Sequence, residues 1–308
     1  MGCVNITELK YYNHTINQMK RTKQNKTPSA ILCSDFHLRE DQPVCRTDDY
    51  EKAQWRKVNF IRGLQTKYNC PVLHAGDLYN HWKPSPHLLS KTIEHLPKNF
   101  WTIYGQHDLP QHSMELAYKS GIATLERAGK LKIIQGCHWG EKPKHLSLIF
   151  NMKKVLVYHI MTYQGKRPWP SCTDPMAAKL LRKYPEYSLI VTGDNHKPFV
   201  EEYEGRLLVN PGSLTRHNAD QINHKPRVYL WYAETNTVEP VYLPIEQNVI
   251  SREHIARKEE RDGRIDAFIS QLDSDWKAAV SFEENLERFF QANQIRKSVT
   301  EIITNAIE

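Results

Sequence analysis

Five short signatures rich in aspartate and histidine follow or close apolar runs, and this layout constrains the fold more than any other feature of the chain. The apolar runs, which are typical of β-strands, are Ala30–Cys33, Pro71–Ala75, Phe100–Tyr104, Val155–Tyr158 and Ser188–Thr192. The signatures are Asp35-Phe36-His37, Gly76-Asp77, Gly105-Gln106-His107-Asp108, His159 and Gly193-Asp194-Asn195-His196. Helical patterns alternate with the runs, and such β-α alternation favours an α/β fold or a mixed sandwich.

The strand-end positions of these signatures predict a metal centre. Open α/β sheets gather ligands beyond the carboxyl ends of their strands. The side chains that would meet there are Asp35, His37, Asp77, Gln106, His159, Asp194 and His196. Carboxylates and imidazoles suit Mn²⁺, Fe²⁺ or Zn²⁺. Two such ions roughly 4 Å apart can clamp a phosphate for in-line attack.

The order and approximate spacing of the signatures resemble the calcineurin-like metallophosphoesterase superfamily over residues 30–245. The motifs of that family run DxH, GD, GNH with Asp or Glu, a lone His, and GHxH. The resemblance implies a four-layer αββα sandwich with a C-terminal helical tail. It also implies a hydrolase that cleaves phosphoester bonds at a dinuclear metal centre, with a bridging hydroxide as the nucleophile.

The resemblance assigns a role to each signature residue. One metal would be bound by Asp35, His37, Asp77 and His196, and the second by Asp77, Gln106, His159 and Asp194. His107 would protonate the leaving oxygen, and Asp108 would orient His107. Histidine titrates near neutral pH in its ordinary state, which suits this proton transfer.

Two residues depart from the family pattern, and both belong to the second metal site. Gln106 stands where the family has asparagine, and Asp194 replaces the first histidine of the last motif. Both keep an oxygen donor, but the third aspartate makes the ligand set one unit more negative. We therefore expect the centre to bind two divalent ions and to prefer Mn²⁺ or Mg²⁺ over Zn²⁺. Fe²⁺ is a further candidate. The alternative is a weak, degenerate second site.

Within the superfamily, the chain is most similar to the SbcD-type DNA nucleases of bacteria and phages. The similarity lies in Leu208–Arg216, where a Pro-Gly turn would present Ser213 and Arg216 to a substrate phosphate. Arg39, in the loop after the first signature, would be a further substrate contact. A second loop, residues 162–175, holds basic residues beside Trp169, a combination that suits nucleic-acid strands.

These features predict a DNA exonuclease or endonuclease with a role in DNA repair. A phosphatase, or a phosphodiesterase acting on small molecules or RNA, would use the same centre. A non-catalytic binding module with a degenerate second site is a third reading. Among the other histidines, we expect His74 to pack in the core, whereas His112, His217 and His224 are either surface residues or substrate contacts.

The remaining features concern domains, partners and location. The 308-residue chain carries a net charge of +7, which suits a polyanionic partner such as DNA. Residues 1–29 read as a polar basic extension, residues 30–245 as the phosphoesterase domain and residues 246–308 as a helical segment. The apolar stripes of that last segment could bind an SbcC-type ATPase, pack on the chain's own body or support a homodimer. Six cysteines without CxxC pairing, and no apolar run of about 20 residues, favour a cytoplasmic protein without a membrane partner.

Overall fold

The computed structural model describes residues 27–143, 148–275 and 282–306. The chain divides into two compact units, one up to Ser251 and one from Arg252 onward. The predicted extension lies almost entirely outside the described residues.

Two β-sheets form the framework of the first unit. One sheet has the order β11-β10-β1-β2-β3-β4, in which β1 to β4 run parallel and β10 pairs antiparallel with β1. The second has the order β5-β6-β7-β9-β8, with β6, β7 and β9 parallel. Their strands are β1 (Ala30–Cys33), β2 (Val72–His74), β3 (Phe100–Thr102), β4 (Lys132–Ile133), β5 (Leu148–Phe150), β6 (Lys153–Tyr158), β7 (Leu189–Thr192), β8 (Phe199–Tyr203), β9 (Arg206–Asn210), β10 (Arg227–Tyr232) and β11 (Thr237–Tyr242).

The helices of the first unit cover the outer faces of the two sheets. They are α1 (Tyr50–Tyr68), α2 (Pro86–His95), α3 (Gly121–Arg127) and α4 (Ala177–Lys183). Asp49 caps α1 by accepting a hydrogen bond from the Lys52 amide at 2.9 Å, and Asn69 ends it in the left-handed region at φ 50°. Short 3₁₀ turns lie at Gln106–Asp108, Pro110–His112, Met114–Lys119 and Ala219–Gln221.

Three apolar clusters show the layer order. The central cluster joins the two sheets through residues such as Leu32 and Val191. A second cluster packs Val58 of α1 against the other face of the first sheet, and a third packs Leu181 of α4 on the second sheet. Both faces of each sheet are therefore buried, which confirms the αββα sandwich.

The signature strands and the β10–β11 hairpin were predicted from their apolar runs and alternation. The structure adds strands β4, β5, β8 and β9, which the sequence analysis did not identify. β4 has two residues and β5 has three, too short to display a period. β8 contains two consecutive glutamates, Glu201 and Glu202, and therefore shows neither an apolar run nor an alternating pattern. Gly205, at φ 69°, lies in the turn that leads into β9.

The second unit is helical where it is described, as predicted. It contains α5 (Glu253–Asp275), α6 (Phe282–Ala292) and α7 (Lys297–Asn305). Among the described ranges of the chain, no helix combines the length and the apolar character needed to cross a bilayer. The five cysteines within these ranges are buried and form no disulfide with one another.

Candidate metal centre

The signature residues meet at the carboxyl ends of two neighbouring sets of parallel strands. β1, β2 and β3 lie side by side in the first sheet, and β6 and β7 lie side by side in the second. Backbone pairing continues beyond the strands, because the Asp35 amide donates to Gly76 O at 3.1 Å and the His37 amide donates to Asp77 O at 3.0 Å. The loops that hold the ligands are therefore fixed to each other.

Four of the predicted ligands adopt a left-handed backbone conformation. The φ angles are 51° at Asp35, 46° at His37, 57° at Asp77 and 73° at Asp194. This conformation costs roughly 1–2 kcal/mol per residue in an L-amino acid, and it persists only where neighbouring contacts impose it. The same strained conformation therefore occurs at three strand ends that carry predicted ligands.

Three glycines permit the close approach of the ligand loops. A Cβ atom at Gly105 would overlap the carboxylate and the amide of Asp77. A Cβ at Gly76 or at Gly193 would overlap the His159 ring. Glycine is thus required at these three positions because a larger residue would overlap a predicted ligand.

The first ligand group forms around His37. Its Nε2 lies 3.1 Å from His196 Nε2, 3.7 Å from Asp77 Oδ2 and 4.0 Å from Asp35 Oδ1. The candidate ligand atoms of Asp35, His37 and His196 all lie within 4.8 Å of one another. Two imidazole nitrogens and two carboxylates therefore converge on one point.

The second ligand group forms around His159. Its Nε2 lies 3.5 Å from Asp77 Oδ2 and 2.5 Å from Gln106 Oε1. Gln106 Nε2 in turn donates to Asp194 Oδ1 at 2.6 Å. Asp77 belongs to both groups, because the same Oδ2 atom approaches His37 and His159. Asp77 Oδ2 therefore lies near both groups, and its predicted role as a bridge between two metals stays a prediction.

Unsatisfied buried oxygens show that these residues fit cations. Asp35 and Asp77 are fully buried, yet the Oδ2 atom of each accepts no hydrogen bond within the described parts of the chain. A buried carboxylate oxygen without a partner is costly, and coordination of a metal removes that cost. All seven predicted ligands are brought together here, and their oxygen and imidazole donors suit divalent ions.

The electrostatics of His159 support the same conclusion. Its Nδ1 donates to Ala75 O at 2.6 Å, which turns Nε2 towards the site. Burial disfavours the charged imidazole, but the carboxylates of Asp77, Asp35 and Asp194 outweigh burial and raise the pKa of His159 to about 10. The site therefore attracts a positive charge at Nε2, where a divalent ion can replace the proton.

The structure corrects the role predicted for Asp108. Its carboxylate accepts hydrogen bonds from the backbone amides of Asp77, Leu78, Tyr79 and Gly105, at 2.8 to 3.3 Å. His107 Nδ1 donates instead to Asn80 O at 3.0 Å. Asp108 thus joins the loops after β2 and β3, and the Asn80 carbonyl orients the His107 ring. That carbonyl could not be identified from sequence, since any residue offers one.

His107, the predicted proton donor, lies close to the first ligand group. Its amide donates to Asp77 Oδ1 at 2.9 Å. Its ring meets the His37 ring edge-on, with 4.9 Å between centroids. The candidate ligand atoms of His37, Asp77 and His107 lie within 4.8 Å of one another. His107 is therefore beside the first ligand group.

Two of the three predicted substrate contacts are wrong. The Ser213 hydroxyl is fully buried, donates to Thr215 O at 2.9 Å and accepts from Gln221 Nε2 at 2.8 Å. The buried Arg216 guanidinium donates to the carbonyls of Ile222 and Glu246. Both side chains hold the loop after β9 and are not available to a substrate.

The other predicted positions have mixed outcomes. Arg39 is partly exposed and pairs with Asp41, so its contact with substrate stays a prediction. His74 is fully buried and its Nδ1 lies 2.9 Å from Thr102 Oγ1, which confirms the core position. His217 lies closer to the centre than predicted, with its ring centroid 5.0 Å from that of His196.

The loop after His159 borders the centre and lines part of an open pocket. Asn195, between the ligands Asp194 and His196, donates from Nδ2 to Thr162 O at 2.6 Å. The pocket has a volume of about 350 Å³, and its lining includes Tyr163, Arg167, Asp174, Met176 and Lys179. Trp169 in the same loop is 46% exposed. The loop that carries these basic and aromatic side chains is therefore attached, through Asn195, to the segment that holds Asp194 and His196.

Comparison with known proteins gives one family match. The family model of the calcineurin-like phosphoesterase superfamily domain matches residues 29–231. A probable metallophosphoesterase of Methanocaldococcus jannaschii is 28% identical over 130 residues, which are 42% of this chain and 64% of that protein. The matched region thus spans slightly less than two thirds of this relative.

Solved structures show similar proteins at low identity. An archaeal phosphodiesterase is 15% identical with a TM-score of 0.41, and the match covers 70% of this chain and 99% of that one. Vacuolar protein sorting 29 of Cryptosporidium parvum is 16% identical with a TM-score of 0.35, covering 71% of this chain and 97% of the other.

Proposed function

Because this chain belongs to the calcineurin-like phosphoesterase superfamily, we propose that it is a metal-dependent phosphodiesterase that cleaves nucleic acid, with DNA as the substrate. The observation that carries the proposal is the shared position of Asp77 between two ligand groups. Its Oδ2 lies 3.7 Å from His37 Nε2 and 3.5 Å from His159 Nε2. A bridging carboxylate is the arrangement that holds two divalent ions close together.

The chain's own residues would position the reaction around these groups. When bound, two divalent ions would neutralise charge on the phosphate and lower the pKa of the attacking water. His107 would give a proton to the leaving oxygen. In a protonated imidazole both nitrogens donate, and because Nδ1 is held by Asn80 O, Nε2 remains for the leaving group.

The proposal of a nucleic-acid substrate is supported by charge and exposed aromatic surface. The net charge of +7 attracts polyanions. The exposed Trp169 lies in one loop with Lys166 and Arg167, and that loop is tied to the centre through Asn195. Bases stack on such aromatic side chains while cations bind the phosphates. A phosphatase with the same centre would need none of this surface.

The ligand set also supports a metal preference, which we propose as Mn²⁺ or Mg²⁺ over Zn²⁺. Asp194 places a carboxylate beside Gln106, and together with Asp35 and Asp77 it makes the set rich in oxygen donors. Hard oxygen donors favour Mn²⁺ and Mg²⁺, whereas imidazole-rich sets suit Zn²⁺.

A substrate panel with Mn²⁺ tests the proposed function. It compares single-stranded DNA, duplex ends, RNA, bis(p-nitrophenyl) phosphate and the monoester p-nitrophenyl phosphate. We expect cleavage of DNA and of the diester, abolished by a chelator and restored by Mn²⁺. Hydrolysis of the monoester alone would favour a phosphatase, and a fully metal-loaded protein without hydrolysis would favour a binding module.

The variant His107→Ala tests the proton donor in the same assay. Loss of a general acid should lower turnover about 10²- to 10⁴-fold without changing metal content. His87→Ala, at an exposed histidine on α2 that pairs with Glu51, is the matched control. Full activity of His107→Ala would remove His107 from the mechanism.

A further inference from the structure

His217 packs directly against two residues of the first ligand group. Its ring centroid lies 5.4 Å from that of His37 and 5.0 Å from that of His196, and both contacts are edge-on. The ligand atoms that converge within 4.8 Å in this group belong to Asp35, His37 and His196. His217 thus borders the group without belonging to that set.

The backbone of His217 is held by the loop that follows β1. The Cys45 thiol donates to His217 O at 3.3 Å, and Arg46 Nη1 donates to Arg216 O at 2.8 Å. The Tyr50 hydroxyl lies 2.8 Å from Thr215 Oγ1. Three consecutive residues of the loop after β9 are therefore each bound by a different residue, two from the loop after β1 and one from the first position of α1.

Arg46 is itself fixed, so this attachment is rigid. Its Nε and Nη2 atoms donate to the two carboxylate oxygens of Asp48 at 2.7 and 2.6 Å. Arg46 is only 6% exposed. Bidentate pairs of this kind restrict the guanidinium to one orientation. These hydrogen bonds hold the backbone at His217 in one position, which in turn fixes the position of its side chain.

The ring of His217 has one nitrogen engaged and one available. Nδ1 lies 3.5 Å from Thr215 Oγ1, and the backbone amide donates to Gln221 Oε1 at 2.7 Å. Within the described residues, Nε2 has no hydrogen-bond partner, and the side chain remains partly exposed. An imidazole N–H beside a metal-ligand group is suited to bind an anionic oxygen.

We propose that His217 is a substrate-binding residue whose Nε2 donates a hydrogen bond to a non-bridging oxygen of the phosphate at the first ligand group. The proposal rests on the proposed phosphodiesterase function. In this proposal His217 makes the phosphate contact that was predicted for Arg216 and Ser213. Those two side chains hydrogen-bond to backbone carbonyls instead. His37 packs against both His107 and His217, so the two imidazoles border the same ligand group.

Binding of inorganic phosphate to the Mn²⁺-loaded full chain tests this role directly. The dissociation constant is measured by calorimetry for the wild type, His217→Ala, His217→Gln and the control His87→Gln. Manganese content and the thermal midpoint are recorded for each. We expect His217→Ala to weaken phosphate binding about 10- to 100-fold, because a hydrogen bond to a charged group is lost.

The companion variants separate contact with substrate from other roles. His217→Gln keeps an N–H donor and should recover part of the affinity, whereas His87→Gln should match the wild type. Manganese content should not change in either His217 variant. Unchanged phosphate affinity in His217→Ala, or loss of manganese from both His217 variants, would overturn the proposal. A wild type that binds phosphate through His217 but cleaves no phosphoester would contradict the proposed function alone.

Discussion

Gln106 Nε2 donates a hydrogen bond to Asp194 Oδ1 at 2.6 Å, and these are the two ligand positions where the chain departs from the superfamily motifs. The two departures are therefore in contact. Asparagine to glutamine lengthens one side chain by a methylene, and histidine to aspartate shortens the other. The longer amide reaches the shorter carboxylate while its Oε1 stays 2.5 Å from His159 Nε2. This pairing favours a modified second site over a degenerate one.

The pairing leads to a prediction about metal preference. Asp194→His replaces a hard carboxylate with an imidazole and should shift the ratio of Mn²⁺ to Zn²⁺ affinity towards Zn²⁺ by at least about tenfold. Competitive metal titration of the chelated protein measures the ratio. Gln106→Asn keeps both the amide oxygen and the charge, and so serves as the control. An unchanged ratio in Asp194→His would mean that this carboxylate does not bind metal.

The fold and the clustering of the candidate ligands could be predicted from sequence because both depend on local order along the chain. Apolar runs such as Leu189–Thr192 place the following signature at a sheet edge, and the same edge collects the ligands. The role of Arg216 could not be predicted, since its partners are backbone carbonyls of Ile222 and Glu246. Every residue has a backbone carbonyl, so a side-chain contact to a carbonyl cannot be recognised from residue types.

The position of His217 beside the first ligand group could not be predicted from sequence either. It depends on two hydrogen bonds between residues far apart in the chain. Cys45 donates to the carbonyl of His217, 172 residues later, and Arg46 donates to the carbonyl of Arg216, 170 residues later. Pairings over such separations follow from the tertiary fold. The sequence showed only a histidine near a Pro-Gly turn.

Two glycine substitutions test whether space limits the centre. Gly105→Ala should cost about 1–3 kcal/mol of unfolding free energy, because the new methyl group overlaps Asp77. Metal should be lost from both groups, since Asp77 belongs to each. Gly63→Ala, in α1 with no atom within 4 Å of the added Cβ, should raise stability by about 0.5–1 kcal/mol. Denaturant unfolding and elemental analysis read both effects, and normal metal content in Gly105→Ala would contradict the close packing at Asp77.

The buried Lys57 predicts a pH-dependent stability. Burial lowers the pKa of its ammonium group to about 7, and Arg46, Arg56 and Arg216 add to the effect. The pKa of lysine in an unfolded chain is about 10.4, so between pH 7 and this value the unfolded chain binds more protons than the folded one. Stability therefore rises with pH across this window, and below pH 7 the folded state bears the full cost of the buried charge.

The variant Lys57→Met removes this cost. It should be more stable than the wild type by about 3 kcal/mol at pH 6, and the difference should shrink as pH rises from 7 towards 10. Urea unfolding at pH 6, 8 and 9.5 follows the difference. Lys52→Met, on the exposed side of the same helix, is the control. A difference that stays constant with pH would show that Lys57 is not the titrating group.

We propose that Asp77 joins two metal-binding groups. Titration of the chelated full chain with Mn²⁺, read by calorimetry and elemental analysis, measures this most directly. We predict that the wild type binds two Mn²⁺ ions per chain and that Asp77→Ala binds neither with comparable affinity, because its carboxylate serves both groups. One Mn²⁺ ion or none in the wild type, or two retained in Asp77→Ala, would contradict the account.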